Sequence, residues 1–249
     1  MTTGKPEKFA LEANQTNNSL AEFKALAQNL KIYFGLRGIR TDFSEWVSLN
    51  ATVLIQKIGY NKKIALFKEN KIILNIGCAG DINNSYINAD LFPNIGDTFR
   101  IIMGKEKIKS DLFVNVSYYD KNLLESADGI VLSHVLEHLP PILAITALKN
   151  CFAYLKQSGY IRVSVPCLEA YEQLKLPLCE NFKNSTLAKN NLIYNHNHKF
   201  MYDVDLLSLI MQEAGFKEVK EVAFSKGLLG ESDVLERQAE TIYLTGIKT

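Results

Sequence analysis

His134 and His138 stand four residues apart and enclose Glu137 in the order HxxEH. Imidazole titrates near neutral pH, so either ring could take a proton from a hydroxyl nucleophile. The remaining histidines, His196 and His198, lie together in "NHNHKFMYD". HxxEH is not the HExxH of a metalloprotease helix, because Glu137 sits at the wrong offset. Three imidazoles with one carboxylate would suit a transition metal better than magnesium. The expectation adopted is that no metal binds, with both histidines of HxxEH as base or loop-holding groups.

A second stretch with chemical content is "KIILNIGCAGDINNSYINADLF", residues 71–92. An apolar run meets the turn Gly77-Cys78-Ala79-Gly80, and Asp90 follows. A dinucleotide fingerprint needs GxGxxG and then a helix whose N-terminus meets a pyrophosphate. Here the third glycine is missing, and "DINNSYIN" is too short and asparagine-rich for a good helix. A ligand without phosphate would not need that cradle. Asp90, ending a strand, can accept from the vicinal hydroxyls of a ribose. Asn115 can pair with the edge of an adenine. Glycine turn, ribose acid and adenine amide describe an adenosine without a phosphate, and S-adenosyl-L-methionine (AdoMet) fits.

These residues need a scaffold. From residue 71, short β-branched runs alternate with helical stretches: "KIILNIG", "SYINADL", "DLFVNV", "ADGIVLSHV" and "GYIRVSVP" as strands, "PPILAITALKNCFAYLKQ" and "DVDLLSLIMQEAGF" as helices. Proline opens the first helix, and Asp203 reads as the N-cap of the second. "KEVKEVAF" and "ETIYLTGIK" are two last strands joined without a helix, so one of them is expected antiparallel at the edge. Strand–helix alternation with nearly continuous apolar strands predicts a doubly wound α/β sheet, with ligands at the strand carboxyl ends. A long polar loop is expected after "GYIRVSVP".

The stretches "LNIGCAGDINNSYINADL", "VLSHVLEHL", "YLKQSGYIRVSVPCLEAY" and "NHKFMYDVDLLSLIMQEAGF" resemble, in order, the class I AdoMet-dependent methyltransferases. The branch they resemble most is the type-11-like one associated with bacterial surface-glycan pathways. The resemblance covers residues 71–249 and implies a mostly parallel, seven-stranded, Rossmann-like sheet. Ala79 stands where glycine is usual, and Asn115 where aspartate is common. The cofactor-binding set then reads Asn75, Gly77, Cys78, Ala79, Gly80, Asp90, Leu91, Asn115, Ser133 and His134. The resemblance puts His134 nearest the transferring methyl, and His198 beside the acceptor; His134, His138 and His198 are the catalytic candidates. HxxEH with His196 or His198 also resembles a weakened form of the ExxEH…H metal site of small-RNA 2′-O-methyltransferases. The implied activity is O-methylation of a sugar hydroxyl or related small glycan acceptor. The alternatives are a non-catalytic AdoMet-binding scaffold and an NAD or nucleotide-sugar enzyme.

Lys and Arg number 28 against 27 Asp and Glu, a net charge of +1. Such a balance offers no basic field for nucleic acid or an anionic membrane. No apolar run reaches membrane-spanning length. Cys78, Cys151, Cys167 and Cys179 show no CxxC spacing and fit a reduced, cytoplasmic protein. Residues 1–18 are polar and read as a mobile tail. Residues 19–70 read as helices: 19–34 and 44–67, the second broken near Gly59, each with an apolar stripe that it cannot bury alone. They are expected to cap the strand carboxyl ends, with Tyr33, Phe34, Arg37 or Arg40 reaching the acceptor; the alternatives are a helical layer on the far side of the sheet and packing on a second subunit in a homodimer.

Overall fold

The computed structural model describes residues 36–68, 71–173, 176, 179–180 and 182–249. The expected tail, the 19–34 helix, Tyr33 and Phe34 lie outside the described residues, as do the side chains of Arg37 and Arg40. Among the described residues one seven-stranded sheet forms, in spatial order β3-β2-β1-β4-β5-β7-β6. The strands are β1 (Ile73–Ile76), β2 (Ile87–Asp90), β3 (Leu112–Phe113), β4 (Ala127–Ser133), β5 (Leu155–Pro166), β6 (Lys217–Glu221) and β7 (Thr241–Ile247). The first five pair in parallel, with Leu74 of β1 opposite Ile87 on one side and Ile130 on the other. The chain runs outward from β1 through β2 to β3 and then crosses back to β4 on the other side of β1, so β1 and β4 flank the switch point where such folds place ligands.

The helices are α1 (Leu36–Lys57), α2 (Ile95–Ile102), α3 (Pro141–Tyr154), α4 (Ser185–Asn195) and α5 (Val204–Glu213). One sheet face packs Leu74, Ile130, Leu132, Ile161 and Val163 against Ala144, Leu148 and Cys151 of α3 and Leu207 and Met211 of α5. These strands are apolar on both faces. The opposite face buries Ile73 and Val131 under Leu229, with Tyr86 and Tyr160 packed around them. Arg162 of β5 is also held there, 1% exposed. Its Nε and Nη2 donate to both oxygens of Asp233 at 2.6 and 2.5 Å, and Nη1 donates to the Lys226 and Leu228 carbonyls. A charged side chain in an apolar strand thus ties the 222–235 segment onto the sheet.

Four expectations need correction. The antiparallel strand is not at the edge: β7 lies between β5 and β6, antiparallel to both. Its central residues are buried, whereas "KEVKE" of β6 is exposed and charged, which suits an edge that must resist pairing with other chains. The helix expected over 140–157 stops at Tyr154 and its last residues join β5. Ser158 takes φ 63°, and the β4–β5 register shifts between Ala127 and Gly129, so a bulge absorbs the extra chain. The segment after β5 is not a long polar loop, since α4 forms there with Asn184 as N-cap, its side chain accepting from Thr186 and Leu187 N–H. Helix α2 lies in the stretch left unassigned between β2 and β3, capped in the same way by Asn94.

Between β1 and β2 the chain makes turns in place of a helix, as the Asn-rich stretch predicts. The predicted break at Gly59 is present: φ is 81°, and a 3-10 turn, Tyr60–Leu66, follows α1. Asp203 caps α5 by accepting from Leu206 N–H at 2.8 Å. No helix among the described residues is long and apolar enough to cross a membrane. All four cysteines are free thiols.

Candidate active site

The turn after β1 is built around Asp90. Its Oδ2 accepts from Ala79 N–H at 2.7 Å, and its Oδ1 accepts from Leu91 N–H at 2.7 Å. Oδ2 also accepts a long bond from the Cys78 thiol at 4.0 Å, and Oδ1 keeps a lone pair for one further donor. Burial pushes the Asp90 carboxyl above its ordinary 3.8, while the two backbone donors pull it back. The two glycines do different work. Gly77 has φ 73°, and a Cβ there would stand 2.4 Å from Val135 Cγ2, so it is required by the fold. A Cβ on Gly80 would meet nothing within 4 Å; this glycine opens onto a cleft. Ala79 holds φ 42°, a left-handed conformation that costs any residue with a Cβ. Cys78 is buried and its thiol pushed up to about 12 by desolvation, so it packs and does not react. Asn75 also serves the turn: its Nδ2 donates to the Asp81 carbonyl and to Asn88 Oδ1.

Ala79, Gly80, Asp90 and Leu91 line an open cleft of about 1130 Å³, flanked by Phe43 and Ser48 of α1 and by α2. Asn115 does not line it. The Asn115 Oδ1 accepts from Ser117 N–H at 3.1 Å in a local turn, and its own N–H donates to Gln56 Oε1 of α1. A smaller cavity of about 250 Å³ opens at the amino ends of β1 and β2, between Lys71, Tyr86 and Asp111, away from the switch point.

Beyond β4 the chain turns sharply. His134 has φ 52°, and its N–H donates to the Ser164 carbonyl. Ser133 Oγ accepts from Ser164 Oγ at 2.9 Å. The His134 ring is held at both nitrogens: Nε2 is 3.0 Å from Thr241 Oγ1, and Nδ1 is 3.3 Å from Glu137 Oε1. The second contact has ion-pair distance without hydrogen-bond alignment, since both Glu137 oxygens lack a hydrogen-bond partner among the described residues. His138 and His198, sixty residues apart in sequence, meet edge to face with centroids 4.8 Å apart, and His196 stacks on His198 at 5.7 Å. The backbone fixes this meeting, because Lys199 and Phe200 N–H both donate to the Glu137 carbonyl. Burial drops His198 from 6.5 to about 4.

The structure therefore gathers the candidates into two groups. Ala79, Gly80, Asp90 and Leu91 face the cavity; His134, His138 and His198 surround Glu137. Thr241, Gln56 and the burial of Glu137 escape sequence reasoning. Thr241 reaches His134 only because β7 pairs beside β5, and Gln56 reaches Asn115 only because α1 crosses the end of β3; neither carries a sequence signal.

A family model described as "Methyltransferase domain" matches residues 51–221, more than half of the chain. The chain belongs to the methyltransferase domain family. Solved structures of similar fold include an AdoMet-dependent methyltransferase from Archaeoglobus fulgidus, 20% identical, with a TM-score of 0.44 over 79% of this chain and 94% of that one. Another is an AdoMet-dependent methyltransferase from Thermotoga maritima, 16% identical, TM-score 0.45, over 84% and 95%. A third, from Bacillus halodurans, is 14% identical, TM-score 0.44, over 76% and 97%. No curated protein sequence matches.

This methyltransferase takes AdoMet as its cofactor, and the residues at the turn fit it. The Asp90 Oδ1 has acceptor capacity left for a ribose hydroxyl, Gly80 leaves the backbone bare toward the cavity, and the turn after β1 leads into no helix whose N-terminus could cradle a phosphate.

Proposed function

We propose that this methyltransferase transfers a methyl group to a hydroxyl of a small polar acceptor, a sugar or sugar-like unit of a surface glycan, in the cytoplasm. The observation that carries the reading is the line Glu137–His134–Thr241 at the carboxyl end of β4. AdoMet supplies the methyl group on a sulfonium. A hydroxyl acceptor must lose its proton as its oxygen takes the methyl, and a carboxylate acceptor would not. Glu137, buried with Oε1 3.3 Å from Nδ1 though not aligned as a hydrogen bond, favours by its charge the tautomer that carries the proton there and leaves Nε2 as the base. The acceptor proton goes to Nε2, where Thr241 Oγ1 now sits. The "HVLEHL" resemblance supports the glycan class, and the neutral Ser133 beside His134 suits a cleft in which cationic charge disappears during the reaction.

The test is transfer of labelled methyl groups from AdoMet to a panel of mono- and disaccharides, with wild type and His134→Ala side by side. Loss of a general base predicts a kcat lowered about 10²-fold or more, with AdoMet affinity by calorimetry changed less than about threefold. Full turnover in His134→Ala would remove the base assignment. Transfer to amines or carboxylates in preference to hydroxyls would remove the acceptor class.

A further inference from the structure

The histidine cluster contains buried polar atoms that the described protein leaves unsatisfied. Glu137 is 0% exposed, and neither carboxylate oxygen has a hydrogen-bond partner among the described residues. His198 Nδ1 is buried and equally without one, as is Tyr202 Oη nearby. Buried polar atoms are satisfied in the great majority of cases, and a buried carboxylate needs a donor or a cation. Lys199, next to His198, does not supply it, because its Nζ turns outward to Glu45 at 3.2 Å.

Ligand-type atoms of Glu137, His138 and His198 all lie within 4.8 Å of one another. His138 Nδ1 is 3.3 Å from the Asn197 carbonyl. With the Nδ1 proton directed there, Nε2 keeps its lone pair free, which is the outer contact that orients a metal-bound imidazole. The set is held by main chain on both sides: Lys199 and Phe200 N–H clasp the Glu137 carbonyl, and His198 N–H donates to the Ile193 carbonyl at 2.8 Å.

We propose that Glu137, His138 and His198 form a binding site for a divalent transition-metal cation of the zinc class, with at least one coordination position left for an exogenous oxygen. Two imidazoles and one carboxylate favour zinc, cobalt or iron over magnesium or calcium, which take oxygen ligands. A cation bonded at about 2.0–2.1 Å draws its ligand atoms to about 3.4 Å apart, so binding needs a modest closure of the three side chains. One Glu137 oxygen faces His134 Nδ1, and the other is free to take the cation, which places the site next to the proposed base. The proposal reverses the sequence expectation of no metal. It stands on the cluster itself and not on the acceptor assigned above.

The experiment uses the full chain, stripped with a chelator and dialysed against micromolar zinc chloride, with metal content read by plasma mass spectrometry. About one zinc per chain is expected. Cobalt substitution should give visible absorption that one equivalent of zinc abolishes. His138→Ala/His198→Ala should lose at least tenfold in zinc affinity, while His196→Ala and Asp90→Asn retain the full equivalent. Glu137→Gln, nearly isosteric, should lose at least tenfold as well; if it fails to fold, the double histidine variant carries the test. Calorimetric titration of AdoMet on the same samples reports the cofactor site separately. Absence of zinc uptake by wild type, or equal uptake by the double variant, overturns the proposal even where AdoMet binds normally.

Discussion

At the scale of single residues, Asp90 holds the turn through Ala79 and Leu91 N–H and lines the cavity beside it. Asp90→Ala should cost about 1–3 kcal/mol of AdoMet binding, roughly a 5- to 150-fold rise in Kd, because a partly buried acceptor is removed. The pH dependence follows in sign. Burial raises the Asp90 carboxyl above 3.8, so it gains its proton earlier as pH falls than an exposed aspartate would. A protonated carboxyl offers fewer acceptors to a diol. AdoMet affinity should therefore weaken on acidification, starting above the ordinary aspartate range, and the weakening should vanish in Asp90→Asn. Calorimetry across a pH series measures both; an identical profile in Asp90→Asn would refute the assignment. Asp90 and the glycine turn were legible in the sequence because the local chain path alone brings them together. The separate duties of Gly77 and Gly80 were not, since they depend on Val135 from another strand's end.

At the scale of elements, the Arg162–Asp233 pair decides how the 222–235 segment covers the sheet. Both side chains are almost fully buried and joined by two parallel bonds. Removing one partner leaves the other charge buried and unpaired, at a cost of about 3–5 kcal/mol. Urea denaturation of Arg162→Ala should show that loss. Arg162→Met/Asp233→Leu should lose less than the sum of the single changes, because no charge is stranded. Additive losses would mean that the pair acts only through its separate contacts. The strands themselves were readable from apolar runs. The helix boundary at Tyr154 and the position of β7 were not, because a bulge and an edge are properties of pairing between strands.

At the scale of the whole molecule, α1 lies across the carboxyl ends of β2 and β3. Thr52 Oγ1 accepts from Phe92 N–H, Ser48 Oγ donates to the Phe92 carbonyl, and Gln56 bonds the backbone of Asn115 and Tyr118. Glu45 extends the contact to Asn197 and Lys199 of the histidine segment. The turn after α1 differs in kind: Ile64 belongs to the main core, and buried Asn61 donates to Asp120 and to the Phe113 carbonyl. Two truncations separate these roles. A chain beginning at residue 59 should fold with a lower Tm, bind AdoMet, and lose most acceptor turnover. A chain beginning at residue 67 should fail to fold cooperatively, because it removes Asn61 and Ile64 from buried positions. Full turnover in the first truncation would show that α1 does not shape the acceptor site.

The sequence by itself determined the alternating α/β architecture, the phosphate-free glycine turn, the acid at the end of β2 and the methyltransferase resemblance. Each of these is written in spacings of a few residues, over which local geometry alone fixes what faces what. Tertiary structure decided the rest. It brought His198 onto His138, Thr241 onto His134 and Gln56 onto Asn115, and it sealed Glu137 from water with its carboxylate unmatched. Contacts between residues more than fifty positions apart depend on strand order and helix packing, and burial is a sum over every element that covers a side chain. Neither quantity has a period or a motif, so a metal-binding cluster and a structural turn read alike until the chain is folded.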